Sequence, residues 1–115
     1  MMRLYHFTCA HRAPRIMDDL VVRPNRQPLL RHDALSWWTT AAAPPAAALG
    51  LAGRTIVKCD RMAFRFVAVD VDGIRPWTAV REDYPLSCVR ALEAAHGARP
   101  ALWWVAVEPV TVRPS

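Results

Sequence analysis

Proline recurs ten times in these 115 residues, and no other feature limits the fold as much. Each proline fixes its own φ and removes a backbone donor, so it stops a helix or stays at the edge of a sheet. A chain punctuated this often is predicted to form short elements with rigid connections. Its length suits one domain with one core, spanning residues 1–115. Hydrophobic residues make up 53% and charged residues 22%, a globular rather than disordered balance. Residues 41–48, rich in alanine and proline, are the only low-complexity patch and too short to link domains.

The hydrophobic pattern places elements between these breaks. Residues 3–7 read as a short strand. Thr8 is the expected cap of the following helix, with Pro14 in its first turn and Ile16, Met17 and Leu20 as its apolar stripe. Residues 20–22 read as a second extended piece and "RPNRQP" as a loop. "ALSWWTT", residues 34–40, reads as a strand. Pro44 and Pro45 start a short helix that Gly50 ends. "RTIVKCD" and "MAFRFVAVD" read as two strands, the second with Phe64, Phe66, Ala68 and Asp70 on one face. "VDGIRP" is a turn. A short helix begins at Pro76, and a longer one covers residues 86–95, with Leu86, Val89 and Leu92 at helical spacing and Gly97 as its stop. "ALWWVAVEPVTV" is a final strand, or two broken at Pro109. Strands do not alternate with long helices, and no GxGxxG or P-loop is present, so a doubly wound nucleotide fold is disfavoured. The expectation is a small α+β domain with a mainly antiparallel, split sheet and short helices.

The formal charge is +5, from 15 basic against 10 acidic side chains. Lys58 is the only lysine, so fourteen of the 15 are arginine. Arginine's planar fork pairs with phosphate at two points, so a nucleotide or polyanionic partner is admitted. Cys9, Cys59 and Cys88 show no CxxC or Cys/His ligand spacing, which argues against a zinc site. An odd cysteine count with no apolar leader reads as reduced thiols in a cytoplasm, and no run is long enough for a membrane span.

Four groups of residues carry chemical interest. His6 stands in the first strand, either as a packed histidine or as a donor to a ligand hydroxyl or amide. By alternation Tyr5 and Phe7 face away from it. In the "SWWTT" strand Trp37 and Trp38 face opposite sides, and both are core only if both faces are covered. Either ring can stack on a planar ligand, beside the hydroxyls of Ser36, Thr39 and Thr40. Arg23, Arg26 and Arg31, with His32, can grip phosphates or form a solvated loop. Of the three glutamates, Glu93 is expected to face solvent on its helix and Glu82 lies at a helix end. Glu108, at the break before Pro109, is placed to face a cleft and steady a cationic sugar. A Ser87, His96 and Asp83 triad has no G-x-S-x-G elbow to support it, which leaves a hydrolase reading with His6 or His96 little to stand on.

The order "LYHFT", helix, extended "LVV", then "LSWWTT" resembles the N-terminal half of ADP-ribosyltransferase-like proteins of the His-Tyr-Glu type. It is similar above all to small bacterial and phage members, the DNA-modifying DarT toxins and the RNA 2′-phosphotransferases among them. "CDRMAFRFVAVD" and "ALWWVAVEPV" look like segments of actinobacterial and phage proteins with this opening. The resemblance implies an NAD-binding transferase that passes ADP-ribose to an acceptor, nucleic acid or protein, or cleaves NAD beside it. It implies that His6 contacts a ribose of NAD, with Thr8 beside it, and that Ser36, Trp38 and Thr39 line the nicotinamide pocket. By the resemblance Glu108 would orient the ribose as nicotinamide leaves; Arg23 and Arg26, read from their loop alone, are the candidates to hold the diphosphate. Leu20-Val21 stands where those proteins carry a glycine before the extension, and no second-motif tyrosine is evident. A non-catalytic nucleic-acid- or protein-binding module on the same scaffold is the alternative.

Overall fold

The computed structural model describes residues 2–30, 33–51 and 60–115. In chain order the elements are β1 (Tyr5–Thr8), α1 (Ala13–Asp19), β2 (Val21–Val22), β3 (Asn25–Arg26), β4 (Ala34–Trp38), β5 (Phe64–Ala68), β6 (Arg75–Pro76), α2 (Trp77–Val80), α3 (Leu86–Glu93), β7 (Trp104–Ala106) and β8 (Val110–Pro114). The longest element among the described residues has eight residues, in line with the short elements that the proline spacing predicts. The fold is α+β. Among the described residues the strands form two four-stranded sheets, in the orders β1-β5-β8-β2 and β3-β4-β7-β6, with every pairing antiparallel.

Among the described residues one pair joins the sheets by backbone hydrogen bonds. Tyr5 N donates to Thr39 O at 2.8 Å, and Thr39 N donates to Tyr5 O at 2.9 Å. Beyond this clasp the two sheets share apolar packing and a side-chain bond from His6 of β1 to the Trp37 carbonyl of β4. Leu4, Ile16, Val22, Trp38, Phe66 and Val112 form a cluster that draws on both sheets and on α1. A second cluster lies on the other face of β4 and β7, where Leu35, Trp77, Val89, Trp103 and Val105 pack with α2 and α3. Both faces of β4 are therefore covered. Trp38 is 3% exposed in the first cluster, while Trp37 packs against the second, near Trp77 and Trp103.

Local chemistry explains most boundaries. Pro14 lies in the first turn of α1, where its missing N–H costs nothing. Gly50, at φ 70°, closes a 3-10 turn over Ala46–Leu49, the left-handed conformation that glycine adopts freely. Pro109 separates β7 from β8, so the final apolar segment is two strands.

Several expectations are corrected. Thr8 ends β1 rather than capping α1; Arg12 occupies the cap and makes no side-chain capping bond. Only Ile16 of the α1 stripe is buried, because the helix stops at Asp19 and Met17 and Leu20 turn to solvent. Leu20 itself takes the left-handed conformation, φ 56° and ψ 41°, at the helix end. It does so at the place where the resemblance leads one to expect glycine. The "RPNRQP" loop contains β3, a two-residue strand paired with β4. Leu86 is exposed at the first position of α3, leaving Val89 and Leu92 to face the core. Glu93 does not simply face solvent: it accepts from the indole N–H of fully buried Trp77 at 2.8 Å and pairs with Arg81 at 3.2 Å. The "RTIVKCD" strand lies outside the described residues, apart from Asp60.

Candidate functional site

A cleft of about 960 Å³ opens where β1 meets β4, at the upper end of the ~300–1,000 Å³ usual for small-molecule sites. β1 and the corner before α1 form one wall, β3 and β4 the floor, and the C-terminal turn of α3 with Leu49 and Leu51 the far side. The fold explains why. β3 covers β4 at Asn25↔Leu35, β1 meets it at Thr39, and no strand among the described residues pairs with the stretch between them.

Among the residues expected at a site, His6, Thr8, Arg26, Ser36, Trp38 and Thr39 all line this cleft. His6 is half-buried. Its Nδ1 lies 2.8 Å from the Trp37 carbonyl oxygen. A carbonyl only accepts, so Nδ1 carries the proton and donates. Burial is the main influence on the ring and lowers its pKa from the usual 6.5. The bond to Trp37 opposes that, and the nearby Arg12 charge lowers the pKa further. The neutral imidazole then keeps Nε2 as an acceptor. This reverses the expected role: His6 can receive a hydrogen bond from a ligand hydroxyl rather than give one.

The neighbouring groups are more committed than their letters suggest. Trp38 is a core residue, tilted against His6 with ring centroids 5.3 Å apart, and its indole N–H donates to Ser36 Oγ at 2.8 Å. Its face is thus not a stacking platform, and half-buried Trp37 is the more accessible ring. Thr39 is fully buried and its Oγ1 accepts from Ala41 N at 3.2 Å. Thr8 is 4% exposed at the end of β1.

Two expected residues are elsewhere. Arg23 pairs with Asp19 at 2.6 Å on the surface, the i,i+4 partner offered by the end of α1 and its exit. Glu108 is exposed in the bend between β7 and β8 and does not line the cleft. The break at Pro109 turns it to solvent rather than inward. Arg31 and His32 lie outside the described residues.

The cleft also holds residues that sequence reasoning missed. His11 and Arg12 come from the corner between β1 and α1, and Arg61 from the turn before β5. The only sequence signal for Arg12 was its place just ahead of a proline-started helix and after the His6 strand. The described wall therefore carries Arg12, Arg26 and Arg61, with His6 and His11, and no aspartate or glutamate. Such a wall attracts anions and gives a carboxylate-bearing ligand or a phosphate several charge-assisted donors. Among the described residues no group of three or more His, Cys, Asp or Glu is placed to hold a metal, and no helix is long and apolar enough to cross a membrane.

Comparison with protein-family models, curated proteins and solved structures finds no match to this chain.

Proposed function

We propose that this chain is an ADP-ribosyltransferase-like protein that binds NAD in the cleft and transfers ADP-ribose to, or cleaves NAD beside, an acceptor. One observation supports this best. The His6 strand and the Trp37–Trp38 strand open onto a single cleft whose described wall carries three arginines and no carboxylate. In this reading Arg12, Arg26 and Arg61 balance the diphosphate, and His6 Nε2 accepts from a ribose hydroxyl. Trp37 offers an aromatic edge to a planar base. Fixing both ends of the dinucleotide orients the glycosidic bond, and orientation alone can lower the barrier to its cleavage by several kcal/mol.

The position of Glu108 favours a second reading. An oxocarbenium-like sugar gains from a nearby anion, and Glu108 stands outside the cleft. The same cleft then serves as a nucleotide-binding module that does not turn its ligand over.

Mass spectrometry of NAD incubated with the protein, with and without DNA, RNA or lysate, decides between them. For the transferase, nicotinamide is released, His6→Ala abolishes release, and Glu108→Ala leaves it unchanged. Intact NAD together with a raised melting temperature in its presence supports the binding module. Intact NAD with no thermal effect removes both.

A further inference from the structure

The open edge of β4 carries a backbone group with no assigned role. In an extended strand the N–H and C=O of one residue point to the same side, and successive residues point to opposite sides. On β4, Leu35 faces Asn25 of β3, and just beyond the strand Thr39 exchanges both its hydrogen bonds with Tyr5 of β1. Ser36 and Trp38 turn the other way, to Ala106 and Trp104 of β7. Trp37 therefore faces the β3/β1 edge, between those two partners. Its C=O marks the direction by accepting from His6 Nδ1 at 2.8 Å. Among the described residues no strand covers it there. Its N–H points the same way, into the gap that forms part of the cleft.

The chemistry of this gap is one-sided. The carbonyl is already used by His6, so what remains is a fixed donor. The N–H gives the gap a fixed place for a ligand oxygen. Arg12 lies close enough to His6 for its charge to act on the ring. Arg26 follows Asn25 on β3, the strand that borders the gap. Both line the cleft. A main-chain N–H in a cleft whose described wall also carries Arg12 and Arg26, and no carboxylate, matches an oxyanion.

The geometry points to a phosphoryl subsite at Trp37, where an oxygen of a diphosphate accepts from the Trp37 N–H with Arg12 and Arg26 as its counter-charges. This deepens the nucleotide reading and rests on it for the identity of the whole ligand. The donor belongs to the main chain, so the indole is dispensable to it. The anion also lies beside His6, where negative charge favours the imidazolium.

The test is an NMR titration of the 15N-labelled chain, first with inorganic pyrophosphate and then with NAD, at constant ionic strength. The expected result is a saturable downfield shift of the Trp37 amide proton with both, and, with pyrophosphate, which has no ribose hydroxyl to donate to Nε2, a rise in the pH at which His6 titrates. Arg12→Gln and Arg26→Gln each weaken pyrophosphate roughly tenfold, the loss of one charge-assisted bond. Trp37→Phe retains the response of the residue-37 amide to pyrophosphate, which has no base to meet the ring; loss of that response overturns the main-chain donor. Saturable binding of pyrophosphate or NAD with an unmoved Trp37 amide overturns the subsite, as does the absence of any pyrophosphate binding. NAD binding with that amide unmoved leaves the nucleotide reading standing. A pyrophosphate response without NAD binding keeps the subsite and removes the nucleotide reading.

Discussion

His6 shows how one hydrogen bond can set a residue's chemistry. Its Nδ1–H is committed to the Trp37 carbonyl, and burial keeps the ring neutral. A consequence follows for stability. The unfolded chain takes up a proton on this ring near pH 6.5, whereas the folded chain does so only at lower pH. Between those two values the unfolded state binds more protons, so stability falls as the pH drops below 6.5. It levels off once the folded ring also protonates. Urea midpoints measured from pH 7.5 down to pH 5 are expected to show this slope in the native chain. His6→Gln, which can still donate to the carbonyl but does not titrate, reduces it.

Leu20 makes a different point at the same scale. It holds a left-handed backbone, which costs a residue with a Cβ about 1–2 kcal/mol. The strain is tolerated because its N–H and C=O are both used, in bonds from Leu20 N to Ile16 O and from Val112 N to Leu20 O. Leu20→Gly relieves the strain but frees the unfolded chain, at a cost of roughly 0.5–1 kcal/mol. The net expectation is a gain between about 0 and 1.5 kcal/mol in chemical denaturation. A clear loss would show that the exposed leucine side chain contributes more packing than its surroundings suggest.

At the scale of elements, β5 separates what pattern can tell from what only packing decides. Alternation places Phe64 and Phe66 on one face, yet Phe66 is 1% exposed and Phe64 42%. Phe66 meets the cluster shared by both sheets, while Phe64 pairs with Thr8 at the end of β1, past the edge of that cluster. Phe66→Ala is expected to cost about 3–5 kcal/mol, and Phe64→Ala well under half of that; equal costs would contradict the burial. The same limit explains the rest of the reading. The α+β class and antiparallel pairing were legible because proline breaks and strand alternation are local signals. The opposition of Trp37 and Trp38 was legible for the same reason. That both faces of β4 would be covered was not, since this depends on where β1 and α3 pack. Glu108 was legible as a break in a strand, but the direction of the bend was not. Arg12 and Arg61 stayed hidden because nothing periodic marks a residue that reaches a cleft from a corner or a turn. β3 was too short to rise above its loop-like composition.

Across the whole molecule, charge and topology meet in one place. The net charge of +5 says only that anions are attracted. The open stretch of β4, walled by Arg12, Arg26 and Arg61, says where. Such attraction is partly exposed to salt, whose screening length shortens from about 10 Å at 0.1 M to about 3 Å at 1 M. Pyrophosphate affinity is therefore expected to fall steadily between these ionic strengths by calorimetry. An affinity indifferent to salt would mean that the cleft holds its ligand mainly by apolar contact.

The gap opposite Trp37 has a consequence for inheritance. Its donor is supplied by every amino acid except proline, so it is transmitted through the register of β4 rather than through the letter at position 37. In descendants of this chain, selection on that contact would be written as avoidance: no proline at 37, and no insertion or deletion between Leu35 and Thr39. The tryptophan ring would be held only by what it touches: the core behind it and, in the nucleotide reading, the base.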